Sequence, residues 1–107
     1  MIYAEHIVRN MIAERVKKKN PDAEVILFGS RARNEQTKNA DWDILILLNE
    51  VQVSRMMEKE YRDELYNIEP ETGQPISTLV FSKKVWEEKH RPTPLYQNIK
   101  RDGIYLA

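Results

Sequence analysis

The chain has 107 residues, enough for one modest core and too few for two. Its 41% apolar and 32% charged content excludes the disordered and membrane-spanning classes and fits a globule with a well-solvated surface. Seventeen Lys and Arg balance seventeen Asp and Glu, so no net field draws it generically onto DNA.

Cysteine is absent, no apolar run approaches the length of a membrane span, and no charged start leads into an apolar stretch with a small-residue cleavage site. The expected setting is the cytoplasm, without a membrane partner. Residues 1–107 are expected to form a single domain.

In chain order, Ile2 to Lys19 places Ala4, Val8, Ile12 and Val16 on one stripe beside Ile7 and Met11, which predicts an amphipathic helix. Lys17, Lys18 and Lys19 fall in its last turn, where cations suit the helix dipole, and Asn20-Pro21-Asp22 ends it. Ala23 to Phe28 and Trp42 to Leu48 read as strands stopping at Gly29 and Asn49. The second is apolar without alternation from Ile44 to Leu48, which predicts a central strand covered on both faces.

Val51 to Ile68 repeats apolar residues at helical steps, with Glu58 and Arg62 spaced to pair outside, and Pro70 and Gly73 close it. Ile76 to Phe81 is a third strand. Ser82 then caps a short helix through Lys89, and Thr93-Pro94 opens a last helix ending near Asp102-Gly103. The predicted class is α+β, in the order αβ(turn)βαβαα.

The chemistry is concentrated where core rules fail. Leu27-Phe28-Gly29-Ser30-Arg31-Ala32-Arg33 ends a strand on a glycine that permits close backbone approach. A helical turn begun there offers free N–H groups to a phosphate, with a hydroxyl from Ser30 and charge from Arg31 and Arg33. Asp41 and Asp43 stand two apart at a strand start, so strand geometry aims both at one face and Trp42 at the other. Paired carboxylates repel unless a cation lies between them, and hard oxygen donors suit Mg²⁺ with a substrate phosphate completing its shell. Each feature alone is an ordinary turn, a solvated loop end or a surface arginine.

Taken together, Gly-Ser, ten residues and Asp-x-Asp resemble the signature of the polymerase-β-like nucleotidyltransferase superfamily, in particular its minimal nucleotidyltransferases. The resemblance runs from the first helix to the third strand. It implies a mixed β-sheet backed by helices, phosphate binding by Gly29 and Ser30, and triphosphate contacts from Arg31 or Arg33. It also implies that Asp41 and Asp43 are catalytic residues that bind metal. Two Mg²⁺ ions would activate an attacking hydroxyl and steady the leaving pyrophosphate.

The implied reaction moves a nucleoside monophosphate from an NTP, with ATP as the first choice, onto a hydroxyl of a protein or small molecule. Minimal members also resemble the antitoxin half of a two-gene pair whose helical partner is of HEPN type.

One position departs from the pattern. Family members carry a third carboxylate on the following strand, and here that strand reads Gln74-Pro75-Ile76-Ser77-Thr78-Leu79-Val80-Phe81. Glu69 and Glu71 precede it and read as exposed loop charges. The alternative function is therefore a catalytically weak or inactive nucleotidyltransferase-fold binding module. His6, His90, Trp42 and Trp86 lack metal-ligand spacing or an aromatic row within a basic stripe, so His6 and His90 read as surface residues and Trp42 and Trp86 as packing residues. Oligomeric state, base preference and acceptor are not legible.

Overall fold

The computed structural model describes residues 4–36 and 40–107. Helix α1 spans Glu5–Lys19 and buries Val8, Ile12 and Val16 at steps of four, as the apolar stripe predicts. Ala4 stands just outside as an exposed N-cap, Ile7 is 41% exposed, and Ile2 lies outside the described residues. The lysine run ends the helix as solvated cations, with Lys17 donating to the Pro21 carbonyl and Lys19 pairing with Glu60.

Strands β1 (Glu24–Phe28) and β2 (Trp42–Leu48) pair antiparallel, and β3 (Ile76–Ser82) runs parallel to β2 on its other side. The sheet order is β3-β2-β1-β4, so β2 is internal and the sheet is mixed. β4 (Ile104–Tyr105) was not expected. Its two residues pair antiparallel with Ile26 and Leu27 immediately after Gly103, too short a segment to carry a periodic signal.

The helix expected over Val51 to Ile68 is shorter at both ends. Ser54 accepts the Met57 N–H and so starts α2 (Arg55–Tyr66), leaving Val51 to Val53 before the helix. A separate turn α3 (Glu69–Thr72) follows, with Pro70 in its first turn and Gly73 ending it at φ 70°. Glu58 and Arg62 do pair along α2. Glu69 is more than a loop charge: it is half-buried and its Oε1 accepts the Ile76 N–H at 2.8 Å, anchoring the start of β3.

Helices α4 (Lys83–Lys89) and α5 (Pro94–Asp102) are capped as predicted, Ser82 accepting from Val85 and Thr93 from Tyr96. The observed order is αββααβααβ.

Two cores share the sheet. Val8, Ile12 and Val16 of α1 and Tyr61 and Leu65 of α2 pack against Trp42, Ile44, Ile46 and Leu48, while Trp86, Tyr96 and Ile99 of α4 and α5 pack against Leu45 and Leu47. Burial on both faces explains why β2 shows no polar alternation. His90, expected at the surface, is instead half-buried and packs against the rings of Phe81 and Trp86, at centroid distances of 4.6 and 5.4 Å. No helix among the described residues is long and apolar enough to cross a membrane.

Candidate functional site

The site forms where β1 and β2 open toward the connection between them. β1 stops because Gly29 takes φ 76°, a left-handed conformation that reverses the chain without a Cβ penalty. A helical turn follows, in which the Gly29 carbonyl accepts from both Ala32 and Arg33 N–H, and Asn34 at φ 58° ends it. A further bond from the Glu35 N–H to the Ser30 carbonyl closes the turn at 2.8 Å.

Register brings this turn onto the carboxylates. Phe28 is opposite Asp43 across the β1–β2 ladder, and Asp43 is opposite Ser77 across the β2–β3 ladder. Gly29 then lies so close to Asp43 that an added Cβ would sit 2.1 Å from Asp43 Oδ2 and 3.0 Å from its Cγ. Absence of a side chain at Gly29 is what leaves room for the carboxylate. Asp41 stands beside it, exposed, with its Oδ2 accepting the Ser77 hydroxyl at 3.1 Å. The pair shares the sheet face of Leu45 and Leu47, and Trp42 between them is buried on the opposite face.

Burial first, and then the charge of Asp41, push the Asp43 carboxyl above its ordinary range, while Arg33 opposes the rise. Arg33 also acts on Asp102, whose carboxyl is held low mainly by its hydrogen bond from Arg101. Arg33 is exposed and bonded to Glu35 at 3.1 Å, on the side of the turn that faces the carboxylates.

Arg31 goes elsewhere. It is 6% exposed and stacks its guanidinium on the Trp42 ring at 4.6 Å, on the sheet face away from the aspartates. Of the six residues expected at the site, Gly29, Asp41 and Asp43 are brought together, Arg33 is near enough for its charge to act on Asp43, Ser30 follows Gly29 in the turn, and Arg31 packs on the opposite sheet face. The expected spacer from Asn34 to Ala40 includes residues 37–39, which fall outside the described residues.

Two repelling carboxylates, one half-buried, form a donor set that a divalent cation would relieve and that suits Mg²⁺. Among the described residues no third His, Cys, Asp or Glu joins them, and Ser77 occupies the position on β3 that faces Asp43. Within the strand that lacks the expected acid, the parallel register puts Ser77 opposite Asp43.

Gly29→Ala is expected to displace Asp43 or unwind the turn. The left-handed backbone alone costs an alanine roughly 1–2 kcal/mol, and the clash adds to it. Melting in the presence and absence of Mg²⁺ and nucleotide should show a less stable protein that no longer responds to them. A variant with the wild-type response would mean that Gly29 is an ordinary turn residue.

Solved structures share this architecture. A toxin–antitoxin complex with AMP-PNP aligns over 92% of this chain and 72% of its own at TM-score 0.67 and 19% identity. A mutant of the toxin–antitoxin MntA–HpeT aligns over 92% and 71% at TM-score 0.65 and 17% identity. The tri-AMPylated Shewanella oneidensis HEPN toxin in complex with its MNT antitoxin aligns over 97% and 72% at TM-score 0.64 and 17% identity. At such identities the likeness is one of fold. No curated protein matches the sequence.

The family described as the nucleotidyltransferase domain matches residues 9–106, from within α1 to just past β4. A match of that extent takes in the Gly29 turn, the Asp41–Asp43 pair and all four strands, and the chain belongs to the nucleotidyltransferase domain family.

Proposed function

We propose that this chain is a minimal nucleotidyltransferase that moves AMP from ATP onto a hydroxyl of a HEPN-type partner protein, as an antitoxin-like enzyme. The observation that carries the reading is the fit of Gly29 against the Asp43 carboxylate, which brings the strand-ending turn and the carboxylate pair to one point. The fold neighbours, a nucleotide-bound toxin–antitoxin complex and an AMPylated toxin with its antitoxin, supply the choice of donor and acceptor.

Asp41 and Asp43 would hold Mg²⁺, which supplies charge neutralisation at the phosphates and a more acidic acceptor hydroxyl when bound. Gly29 and Ser30 present backbone N–H groups and a hydroxyl to the triphosphate, and Arg33 adds a cation on the same side. The acceptor oxygen forms a bond to the α-phosphorus as the bond to pyrophosphate breaks, and the acceptor proton leaves to water. The Ser77 hydroxyl donates to Asp41 and so keeps that carboxylate turned toward the opening.

Two carboxylates are a donor set from which Mg²⁺ completes its shell with water and substrate phosphate. A cytoplasmic setting follows from the need for ATP and Mg²⁺. Residues 1–107 acting as one domain is consistent with both cores being built on a single sheet.

A second reading has its own support. With Ser77 where the resemblance to the superfamily leads one to expect an acid, a general base worth about 10²–10⁴-fold in rate is missing, which favours a nucleotide-holding module that acts chiefly by binding its partner. Co-expression with a HEPN-type protein of the kind seen with the fold neighbours, followed by intact mass of that protein, separates the two. A mass gain of whole AMP units supports transfer. An unmodified partner that nevertheless co-purifies supports the binding module.

A further inference from the structure

We propose that Arg31 is a positioning residue for the Asp41–Asp43 cation site, acting through the Ala40 carbonyl and the Trp42 ring; this rests on the reading of those aspartates as Mg²⁺ ligands.

Arg31 and Ala40 are the first and last residues of the spacer between Ser30 and Asp41. The guanidinium closes that spacer end to end, with Nε and Nη2 donating to the Ala40 carbonyl at 3.1 and 2.8 Å. A planar fork holding one oxygen at two points fixes the peptide immediately before Asp41 in both position and orientation. On the other side of Asp41, the same guanidinium lies over the Trp42 ring at 4.6 Å.

Gln74 completes the clamp. Its Oε1 accepts from Arg31 Nη2 at 3.1 Å and from Trp42 Nε1 at 3.0 Å, while the Trp42 N–H donates to the Pro75 carbonyl at 2.9 Å. Both neighbours of Asp41 are thereby tied to one buried cation and to the start of β3, the strand that carries Ser77.

The charge is matched from a third direction. Glu5, in the first turn of α1, accepts from Arg31 Nη1 at 2.9 Å and from Gln36 Nε2 at 2.8 Å, gripping the spacer near its middle as well. A guanidinium this buried is costly unless its donors are used, and here they go to the Ala40 carbonyl just before Asp41, to Gln74 and to Glu5. Since Arg31 directly follows Ser30, the clamp also ties the turn after Gly29 to the segment that carries the aspartates.

The test is calorimetric titration of a non-hydrolysable ATP analogue into wild type and Arg31→Lys at a series of Mg²⁺ concentrations, with melting of each apo protein read alongside. A lysine keeps the charge but cannot hold one carbonyl at two points or lie flat on an indole. Half-saturating Mg²⁺ should rise about tenfold, in the range found for residues that orient metal ligands, with analogue binding recovered at high Mg²⁺.

A purely structural Arg31 would lower melting and leave half-saturating Mg²⁺ within about twofold of wild type, which overturns the proposal. If Arg31→Lys does not fold, Glu5→Gln decides, because it slackens the same clamp from an exposed position. A smaller shift in the same direction supports the clamp, and none overturns it. A wild type indifferent to Mg²⁺ removes the cation-site reading itself, whereas a Mg²⁺-dependent wild type with unshifted variants removes only the role of Arg31.

Discussion

Replacing Asp41 and Asp43 together by asparagine is expected to abolish Mg²⁺-dependent nucleotide binding and to raise the melting temperature of the apo protein. Both effects come from the same electrostatics. Asp43 is half-buried beside a second carboxylate, and its carboxyl is held above the ordinary range by burial and by Asp41. A carboxyl whose folded pKa is raised favours the fold while protonated, and that contribution is lost as pH rises through the folded pKa.

At neutral pH the ionised pair therefore opposes folding, and asparagines of similar size remove the repulsion. Removing residues that merely orient metal ligands costs 10–100-fold in affinity, so loss of both ligands should exceed about 100-fold. The stability gain should shrink as pH is lowered through the carboxylate range, because wild-type Asp43 then takes up its proton. Melting curves across pH, with and without Mg²⁺ and ATP analogue, check each part. A double variant that melts lower than wild type and still responds to Mg²⁺ would mean that the aspartates are structural.

The second large effect should be a gain. Ser77 is opposite Asp43 in the parallel ladder, its hydroxyl is 3.1 Å from Asp41, and it is exposed, so a carboxylate there needs no repacking. Ser77→Asp would place a third acid where the resemblance to the superfamily expects one. If general-base assistance is what the natural chain lacks, transfer should accelerate by about 10²–10⁴-fold, and less Mg²⁺ should be needed for half-maximal rate. The apo protein should melt lower, because three carboxylates repel more than two. Initial rates of AMP transfer over a Mg²⁺ series provide the measurement. Unchanged rates would show that an acid at this position does nothing for transfer by this chain.

Features set by neighbouring residues were legible in the sequence. Ser82 and Thr93 cap the helices that follow them because each reaches an N–H three residues on, a purely local geometry. The uninterrupted apolar run from Ile44 to Leu48 identified the central strand, since only a strand buried on both faces tolerates it. The start of α2 was misplaced because Val53 fits the helical period of Met57, Tyr61 and Leu65, while Ser54 accepting from Met57 decides where the helix begins. β4 escaped because two residues gain their identity from pairing with β1, far away in the chain.

The same division holds at the site. Spacing and strand alternation brought Gly29, Ser30, Asp41 and Asp43 to notice, because the constraint is contained in fifteen consecutive residues. Arg31 looked like Arg33 in sequence. Its partners Glu5 and Gln74 are 26 and 43 positions away, so only the folded chain distinguishes a buried strut from a cation at the opening.

The activity proposed for this site is nucleotide transfer. Incubating the chain with α-³²P-labelled ATP, Mg²⁺ and the proposed HEPN-type acceptor, beside the Asp41→Asn, Asp43→Asn double variant, tests it most directly. Label on the partner with wild type alone is the predicted result. No label on any protein, while the wild type still binds the ATP analogue with Mg²⁺, would contradict it and leave a nucleotidyltransferase fold that holds its substrate without using it.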